Sequence, residues 1–471
     1  MKPFDEELVS GGIVRSVWKL SWPVVLLNVV NGTHGFIDQV LVGRYVGTEA
    51  NAGIGVGWSL FMVIVVFVSS LYHGMNVVVA RYAGRRDRET MSRVMFETLW
   101  FSLVFLFGVG APAGYFLAPH AVAAVTRPEA AAHALPYLRT LFVLGAPIFL
   151  MFLITGAMQA SGDPRTPLRL GVLTTALNVI LSYLLITGAG PFPAMGAQGA
   201  VLATCLAPLA GAGLGLSLIF RRRTIIPPPS RIWFARDLEV FRTVLRIGLP
   251  SGVQAVMMNL AGVGLYYFIS QLDHATAAQA AYAICYTQLF SLVAWPSWAL
   301  RNASGTIMGQ NIGAGRPRRG RRGVYVAAAF GLSWALAGGV VFVTAPAALL
   351  AVFGATTDPV LGIGVTFLRY LAISGVMIAI TTAFTGGLVG AGRTVAPMVI
   401  AIVTQIFVLL GGCAVLAALD RLTAEGIWAM IVVAHTARMA LTLLAFHVGK
   451  DAVVNVDVRR AAPGDASDAC A

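Results

Sequence analysis

The sequence predicts an all-α polytopic membrane protein, with twelve transmembrane helices arranged as two pseudo-symmetric six-helix bundles. The first supporting observation is composition: of 471 residues, 58% are hydrophobic and 11% charged, and the mean hydropathy is +0.79. Too few polar side chains remain to cover a soluble globule, so an ordinary soluble protein is excluded. The second observation is a series of long apolar segments, and the third is a resemblance between the two halves of the chain.

Twelve apolar segments have the length of about 20 residues at which a helix crosses the hydrocarbon core. Helices are expected there because a helix satisfies its own backbone hydrogen bonds in lipid. The segments lie near residues 16–42, 52–79, 94–118, 138–160, 168–186, 195–220, 247–272, 275–307, 324–353, 361–389, 395–419 and 427–448. The first is too long for the apolar part of a signal peptide, so we interpret it as a spanning helix that is not cleaved.

The basic residues that give the net charge of +13 lie mainly between the apolar segments. If both termini are cytoplasmic, the inside loops and tails hold 26 of the 33 basic residues, and five lie outside. The remaining two, Arg301 and Arg438, fall within apolar segments. The positive-inside rule therefore predicts that both termini are cytoplasmic. We expect a multi-pass protein of the bacterial plasma membrane. Because the arginines do not share one soluble face, no nucleic-acid partner is predicted.

The two halves of the chain match when one is shifted by about 230 residues, which indicates an internal duplication. Six helices return the chain to its starting side, so the two copies have the same orientation in the membrane. The matched pairs include Leu138/Leu368, Arg139/Arg369, Gly156/Gly386 and Gly162/Gly392.

The predicted domains follow from this duplication. They are a first bundle at residues 1–220, a cytoplasmic linker at 221–246, a second bundle at 247–450 and a disordered cytoplasmic tail at 451–471. In the linker, Phe234, Leu238, Phe241 and Leu245 recur at helical spacing. This pattern predicts an amphipathic helix that lies on the membrane surface between the bundles.

Asp38 is an acidic residue well inside the first apolar segment. Placing its charge in the membrane costs about 2.5 to 3.5 kcal/mol on insertion scales, and such residues usually mark ion or substrate paths. Because successive residues of a helix are 100° apart, Asn31 and His34 lie on the same face as Asp38. A structural role, in which protonated Asp38 only bonds a neighbouring helix, is the alternative. His34 either modulates Asp38 or is a structural hydrogen-bonding partner.

Neutral polar side chains accompany these groups in both halves. On the fifth segment, Asn178 and Ser182 share an arc, and Thr204 lies on the sixth; they are candidate oxygen ligands, with helix packing as the alternative. In the second half, an aromatic and amide lining would suit bulky cations or flat apolar molecules, although core packing explains it almost equally well. Its members are Gln254, Asn259, Tyr282, Tyr286, Gln288, Trp295 and Trp298.

Catalytic motifs are missing from the sequence, so we do not predict an enzyme. Lys450 lacks the glycine and the hydroxyl residue of a phosphate-binding loop, and no HExxH helix or GxSxG elbow occurs. The four cysteines form no CxxC pair, so neither a metal site nor a disulfide framework is predicted.

Five motifs in order along the chain resemble the multidrug and toxin extrusion (MATE) family of the MOP flippase superfamily. They are FIDQVLVGRYVG, GAMQASGDPRTP, LNVILSY, RIGLPSG and IMGQNIGAGRPRR. The resemblance implies a V-shaped pair of lobes. We also expect a monomer that needs no cofactor beyond a coupling ion. It also implies export of small cationic or amphipathic compounds, driven by inward flow of protons or sodium.

The resemblance carries a coupling role over to Asp38 and matches the family's fifth-helix asparagine to Asn178. Prokaryotic members often have an acid four residues later, where this chain has Ser182. Acids found on helices seven and ten of sodium-linked members are missing from 248–259 and 360–389. This chain thus has one intramembrane acid where sodium-linked members have two or three. A proton needs only one carboxylate, so the sequence favours protons over sodium as the coupling ion.

Two alternative functions stay open at this point. A lipid-linked saccharide flippase of the same superfamily would need a cationic cavity, for which Arg301 and Arg438 are the candidates. A membrane-embedded transferase, or a scaffold that transports nothing, is the third hypothesis. The transferase would need metal-binding acids near the cytoplasmic interface, for which only Glu97 and Asp163 are available.

Overall fold

A computed structural model gives the architecture of the chain. It describes residues 1–125, 128–229, 237–449, 453–454 and 456–458, with the side chains at 33–36, 48–52, 56, 63–64 and 124–130 left undescribed. These residues form helices and connecting loops without a β-strand. The helices are α1 (Glu7–Ser10), α2 (Ile13–Tyr45), α3 (Thr48–Gly84), α4 (Arg88–Phe105), α5 (Ala111–Val125), α6 (Pro128–Leu144), α7 (Ala146–Ala160), α8 (Arg165–Thr187), α9 (Ala197–Phe220), α10 (Leu238–Ile269), α11 (Ala275–Tyr282), α12 (Ser291–Gly313), α13 (Pro317–Thr344), α14 (Pro346–Ala351), α15 (Val360–Gly390), α16 (Val395–Ile402), α17 (Gly411–Ala418) and α18 (Ala424–Val448).

Three π-helical stretches join neighbouring helices into longer rods. Leu106–Gly110 joins α4 to α5, Ala283–Leu289 joins α11 to α12, and Val403–Leu410 joins α16 to α17. Such insertions in a helix often occur at functional sites.

Within the described residues, nine helical stretches are long and apolar enough to cross a membrane, or up to eleven with two bent pairs. One pair is bent by 51° between α6 and α7. Gly145 lies at this break, and Pro147 soon after it cannot donate a backbone hydrogen bond. The predicted segment near 275–307 falls on α11, the following π-helical stretch and α12.

The chain divides into two compact units. Unit 1 contains Met1–Phe4, Ile37–Leu249 and Val454–Ala471, and unit 2 contains Asp5–Phe36 and Pro250–Val453. The helices α2 and α10 therefore each contribute to both units. The first residues of the predicted first bundle, from Asp5 to Phe36, group with the second half of the chain.

The matched pair Gly162/Gly392 forms the same turn in each unit. Both residues have positive φ angles, +98° and +83°, a conformation that glycine adopts without a steric penalty. Gly162 donates its N–H to the Gln159 carbonyl, and Gly392 donates to the Val389 carbonyl, three residues back in both cases. The two copies therefore repeat a backbone conformation as well as a sequence.

The linker differs from the predicted surface helix. Residues 238–246 begin the continuous 32-residue helix α10, and Val240 and Val244 are its buried positions there, whereas Leu238 is 67% exposed. Gly248 allows this part of α10 to pack closely on α3, because a Cβ there would lie 1.7 Å from the Ser70 carbonyl oxygen. The helical spacing therefore agrees with the structure, whereas the placement of this helix on the membrane surface stays a prediction. Phe234 lies outside the described residues.

Part of the predicted disordered tail is ordered in unit 1. Val456 and Val458 are buried, and the Tyr82 hydroxyl accepts a hydrogen bond from the Val458 N–H at 2.9 Å. Arg85 Nη1 lies 2.6 Å from Asp457 Oδ1. The prediction from composition is wrong for residues 456–458, because two valines and one acid suffice to bind the end of α3. Residues 459–471 lie outside the described part.

Candidate functional site

The Asp38 carboxylate lies among three helices of unit 1. The Ser182 hydroxyl on α8 donates a hydrogen bond to Asp38 Oδ1 at 2.7 Å. The Thr204 hydroxyl on α9 lies 3.5 Å from Asp38 Oδ2 and closer, at 2.9 Å, to the Ala200 carbonyl oxygen. A hydroxyl has a single proton, so Thr204 donates mainly to Ala200 and presents an oxygen lone pair to Asp38.

A small apolar cluster fixes this arrangement. Val42, Ile186 and Ala200 pack together and are buried, with Ala197 beside them. Val42, Ile186 and Ala200 lie four residues, or one helical turn, from Asp38, Ser182 and Thr204 respectively. The cluster therefore holds α2, α8 and α9 in register one turn from the carboxylate and keeps water from that side.

Further along the same face of α8, buried polar atoms have no partner. Neither amide atom of Asn178 has a hydrogen-bond partner among the described residues, and the same holds for Thr174 Oγ1. Gly211 on α9 leaves room for this hydroxyl, since a Cβ there would lie 2.3 Å from Thr174 Oγ1. Leaving buried polar groups unsatisfied is costly. A role for Asn178 as an oxygen ligand stays a prediction.

Sequence reasoning missed Tyr137 on α6. This buried tyrosine lies within electrostatic range of Asp38. Gly57 on α3 accommodates its ring, because a Cβ at Gly57 would lie 2.8 Å from Tyr137 Cδ1. A tyrosine in an apolar span was the available signal, since a buried phenol usually has a polar neighbour.

Two candidates on α2 remain, Asn31 and His34. Asn31 is exposed and belongs to unit 2. The side chain of His34 lies outside the described residues. Of the six predicted coupling residues, the structure thus brings together Asp38, Ser182 and Thr204 and places Asn178 one turn from Ser182.

The second-half candidates lie in different surroundings within unit 2. Gln254 is buried, and its Oε1 has no hydrogen-bond partner among the described residues. Asn259 is exposed and donates to the carbonyl of Ala255, one turn back, at 2.9 Å. Gln288 and Trp298 are exposed. Trp295 is partly buried, and its ring leaves no room for a Cβ at Gly32.

Tyr282 and Tyr286 belong to a stack of aromatic rings in the core of unit 2. Their ring centroids lie 5.1 Å apart at an interplanar angle of 10°. The stack continues through Phe367 and Trp428, whose centroids are 3.8 Å apart. Tyr282 packs mainly in the core, and a substrate-pathway role for these residues stays a prediction.

The fold and the repeated turns define the class: a polytopic helical membrane protein built from two copies of one plan. The sequence profile described as MatE matches residues 23–184 and again 250–413, about 230 residues further on. The chain belongs to the MATE family. The two matches also support the duplication that the sequence predicts.

Individual proteins agree with this assignment. The chain is 27% identical to the probable multidrug resistance protein YoeA of Bacillus subtilis over 64% of its own length and 65% of that protein. It is 25% identical to the probable multidrug resistance protein NorM of Thermotoga maritima, over 93% of both chains. A solved multidrug resistance MATE transporter of the MOP superfamily, in an outward-facing conformation, superposes with a TM-score of 0.85 at 20% identity. The superposition covers 97% of this chain and 100% of the chain of that structure. This similarity confirms the predicted twelve-helix fold.

Proposed function

We propose that the protein is a secondary active exporter of small amphipathic compounds, including cations, in exchange for protons that bind Asp38. Membership of a family of transporters supports transport in place of catalysis. The names of the YoeA and NorM relatives support multidrug compounds as the substrates. The proposed setting is the bacterial plasma membrane, with both termini cytoplasmic and a monomer as the working unit.

The observation that carries the proposal is the unequal environment of the two Asp38 oxygens. Oδ1 accepts the Ser182 proton, whereas Oδ2 faces the oxygen of Thr204, whose own proton is donated to Ala200. Two oxygens that face each other repel unless a proton or a cation lies between them. A proton on Oδ2 could be donated to the Thr204 oxygen, which would remove this repulsion.

The same residues favour a proton over sodium. A sodium ion needs several oxygen ligands and charge compensation, and the described residues of this group include only one carboxylate. Position 182, where a second acid would lie on the α8 face, is a serine that donates to Asp38. We therefore propose competition: protonated Asp38 releases the substrate on one side, and loss of the proton restores the charge on the other. Each ligand shifts the conformational populations only through its different affinity for the two states.

The direct test uses purified full-length protein in proteoliposomes loaded with a fluorescent amphipathic dye. A pH gradient and a sodium gradient are imposed separately, each with the membrane potential clamped. We expect the pH gradient alone to drive dye movement. If a sodium gradient at uniform pH drives it as well, proton coupling through Asp38 is wrong.

Ser182→Ala is expected to slow pH-driven export by about tenfold, since a hydrogen bond to a charged group is worth about 1.5 to 3 kcal/mol. Thr204→Val should have a smaller effect, because Thr204 donates to Ala200 and lies 3.5 Å from the carboxylate. The measurement is the initial export rate across a range of internal pH values. Equal losses for the two variants would contradict the unequal environment of the carboxylate oxygens.

A further inference from the structure

An open cavity lies in unit 2 where the beginning of α13 meets the ends of α15 and α18. Arg321 on α13 and Arg393, just after α15, are part of its lining. Most of the remaining lining is apolar and includes Leu388, Ala391 and Phe446. Among the described residues, none that lines the cavity is acidic. Its empty space, counted to the open mouth, is about 310 Å³.

Arg393 is held in place by the end of α18. Its Nη1 donates to the carbonyl oxygens of Ala445 at 3.0 Å and Gly449 at 2.9 Å. The last carbonyls of a helix carry partial negative charge, which favours a cation there. Gly449 permits the contact, because a Cβ there would lie 2.0 Å from Arg393 Nη1. Nε and Nη2 of Arg393 form no hydrogen bond with the described residues, so these donors are available to a ligand.

Arg321 contacts the cavity wall through its positive charge. Its Cζ lies 5.1 Å from the centroid of the Phe446 ring. It forms no hydrogen bond or ion pair with any residue that the structure describes. A ring face attracts a cation but offers no acceptor for most of the five N–H groups of a guanidinium. An oxyanion in the cavity would supply those acceptors to both arginines.

The cavity adjoins a strongly basic stretch, RPRRGRR at residues 316–322, with five arginines. Arg316 and Arg319 donate to the backbone carbonyls of Val9 and Glu7, at 3.0 and 3.1 Å. The Glu7 carboxylate is paired with two cations outside the stretch. In the part of the chain that the structure describes, none of the five arginines forms an ion pair. Their charge therefore attracts an anion from outside the chain.

A stripe of exposed residues continues from these arginines along the whole of α13. Beyond its first three members the stripe is apolar except for a serine, whose hydroxyl donates to the Ala329 carbonyl at 3.0 Å. At 1.5 Å per residue the stripe extends about 32 Å past its last arginine, close to the hydrocarbon thickness of about 30 Å. Its order, cations first and an apolar face after them, matches a phospholipid headgroup and acyl chain. The members are Arg318, Arg322, Tyr325, Ala329, Ser333, Leu336, Val340 and Val343.

The matched turn of the first copy has the opposite charge. Gly162 and Gly392 form the same turn, and the next residue is Asp163 in unit 1 and Arg393 in unit 2. Asp163 Oδ2 accepts a hydrogen bond from Lys2 Nζ at 2.6 Å. The turn itself therefore does not require an arginine. In unit 1 this position binds a group of opposite charge, whereas in unit 2 it faces the open cavity.

We propose that Arg321 and Arg393 bind the phosphate of an anionic phospholipid, whose acyl chains lie along the exposed stripe of α13. Basic pockets between membrane helices are suited to such headgroups. Arginine fits because its planar donors match the oxygens of a phosphate. A zwitterionic lipid also has a phosphate, but the neighbouring arginines repel its ammonium group. The site goes beyond the proposed export function and does not involve Asp38.

Lipid binding is tested by native mass spectrometry on full-length protein in a neutral detergent. Dioleoylphosphatidylglycerol is titrated, with dioleoylphosphatidylcholine in parallel. Arg321→Gln should weaken binding of the first phosphatidylglycerol by about tenfold, and phosphatidylcholine should bind more weakly to every form. Wild-type affinity of Arg321→Gln for phosphatidylglycerol, or equal binding of the two lipids by the wild type, would overturn the proposal.

Two control variants make the same change of charge outside the cavity. Arg316→Gln lies in the same basic stretch, and Arg369→Gln replaces an exposed arginine of α15. Both should bind phosphatidylglycerol as the wild type does. An equal loss in Arg316→Gln and Arg321→Gln would show diffuse attraction to a basic surface and would reject the site.

Thermal melting separates binding from folding. Without lipid, Arg321→Gln should melt as the wild type does, because it loses only the contact with the Phe446 ring. Added phosphatidylglycerol should raise the melting temperature of the wild type and of Arg316→Gln more than that of Arg321→Gln. Arg393→Lys keeps the charge but loses the planar donors, so it should also bind the lipid less tightly. Equal stabilisation of all four forms would contradict the proposal.

A last arm distinguishes a lipid from a soluble phosphate. Glycerol phosphate has the phosphate without acyl chains, and it should not displace phosphatidylglycerol at equal concentration. Displacement would assign the cavity to a soluble phosphate and would reject the lipid. Because no gradient is applied, failure of lipid binding leaves proton coupling intact, and failure of proton coupling leaves lipid binding intact.

Discussion

Asp38→Asn is expected to abolish pH-driven export, reducing it to the rate of protein-free vesicles. The amide keeps the size of the side chain but cannot gain or lose a proton in this pH range. Ser182 can still donate to the amide oxygen, so the packing of α2, α8 and α9 should persist. Initial export rates in proteoliposomes under an imposed pH gradient give the measurement.

The matched control for this variant is Asp273→Asn, the same chemical change at an exposed loop residue of unit 2. It should export at the wild-type rate. Asp38→Glu keeps a titratable carboxyl and should retain part of the activity. Undiminished pH-driven export by Asp38→Asn, at normal amounts of protein in the vesicles, would exclude Asp38 as the coupling group.

Much of this fold is predictable from local sequence, because lipid imposes a simple rule. Every backbone group must be satisfied within its own segment, so apolar length alone indicates the spans. The turn at Gly162 and Gly392 repeats because each helix end there needs a positive φ angle. The π-helical stretches and the ordered residues 456–458 were not predictable, since they depend on contacts between residues far apart in sequence.

The candidate site was only partly predictable for a related reason. Periodicity placed Asn178 and Ser182 on one face of α8, but it did not reveal that Ser182 bonds Asp38 while Thr204 donates to Ala200. Tyr137 approaches Asp38 from a helix whose sequence contains no other sign of the site. The face of a helix on which a residue lies can be predicted from the sequence. The distances between residues on different helices depend on how the helices pack.

Gly386→Ala is expected to destabilise unit 2 severely. A Cβ at Gly386 would lie 2.1 Å from the backbone carbonyl oxygen of Arg301, and one at Gly390 would lie 2.3 Å from that of Gly305. Both obstacles are main-chain atoms of α12, so no side chain can rotate away, and α12 and α15 must separate. Overpacking usually costs about 1 to 3 kcal/mol, and we expect the upper end or beyond here. Thermal melting and the monodisperse fraction in size-exclusion chromatography measure the effect.

Gly262→Ala supplies the matched control, because this glycine lies within α10 of unit 2 and a Cβ there meets nothing within 4 Å. It should leave stability unchanged or raise it by about 0.5 to 1 kcal/mol through the better helix propensity of alanine. A Cβ at Gly386 would lie 2.1 Å from the Arg301 carbonyl oxygen only if α12 and α15 are in close contact there. Equal melting temperatures for the two variants would contradict this close contact.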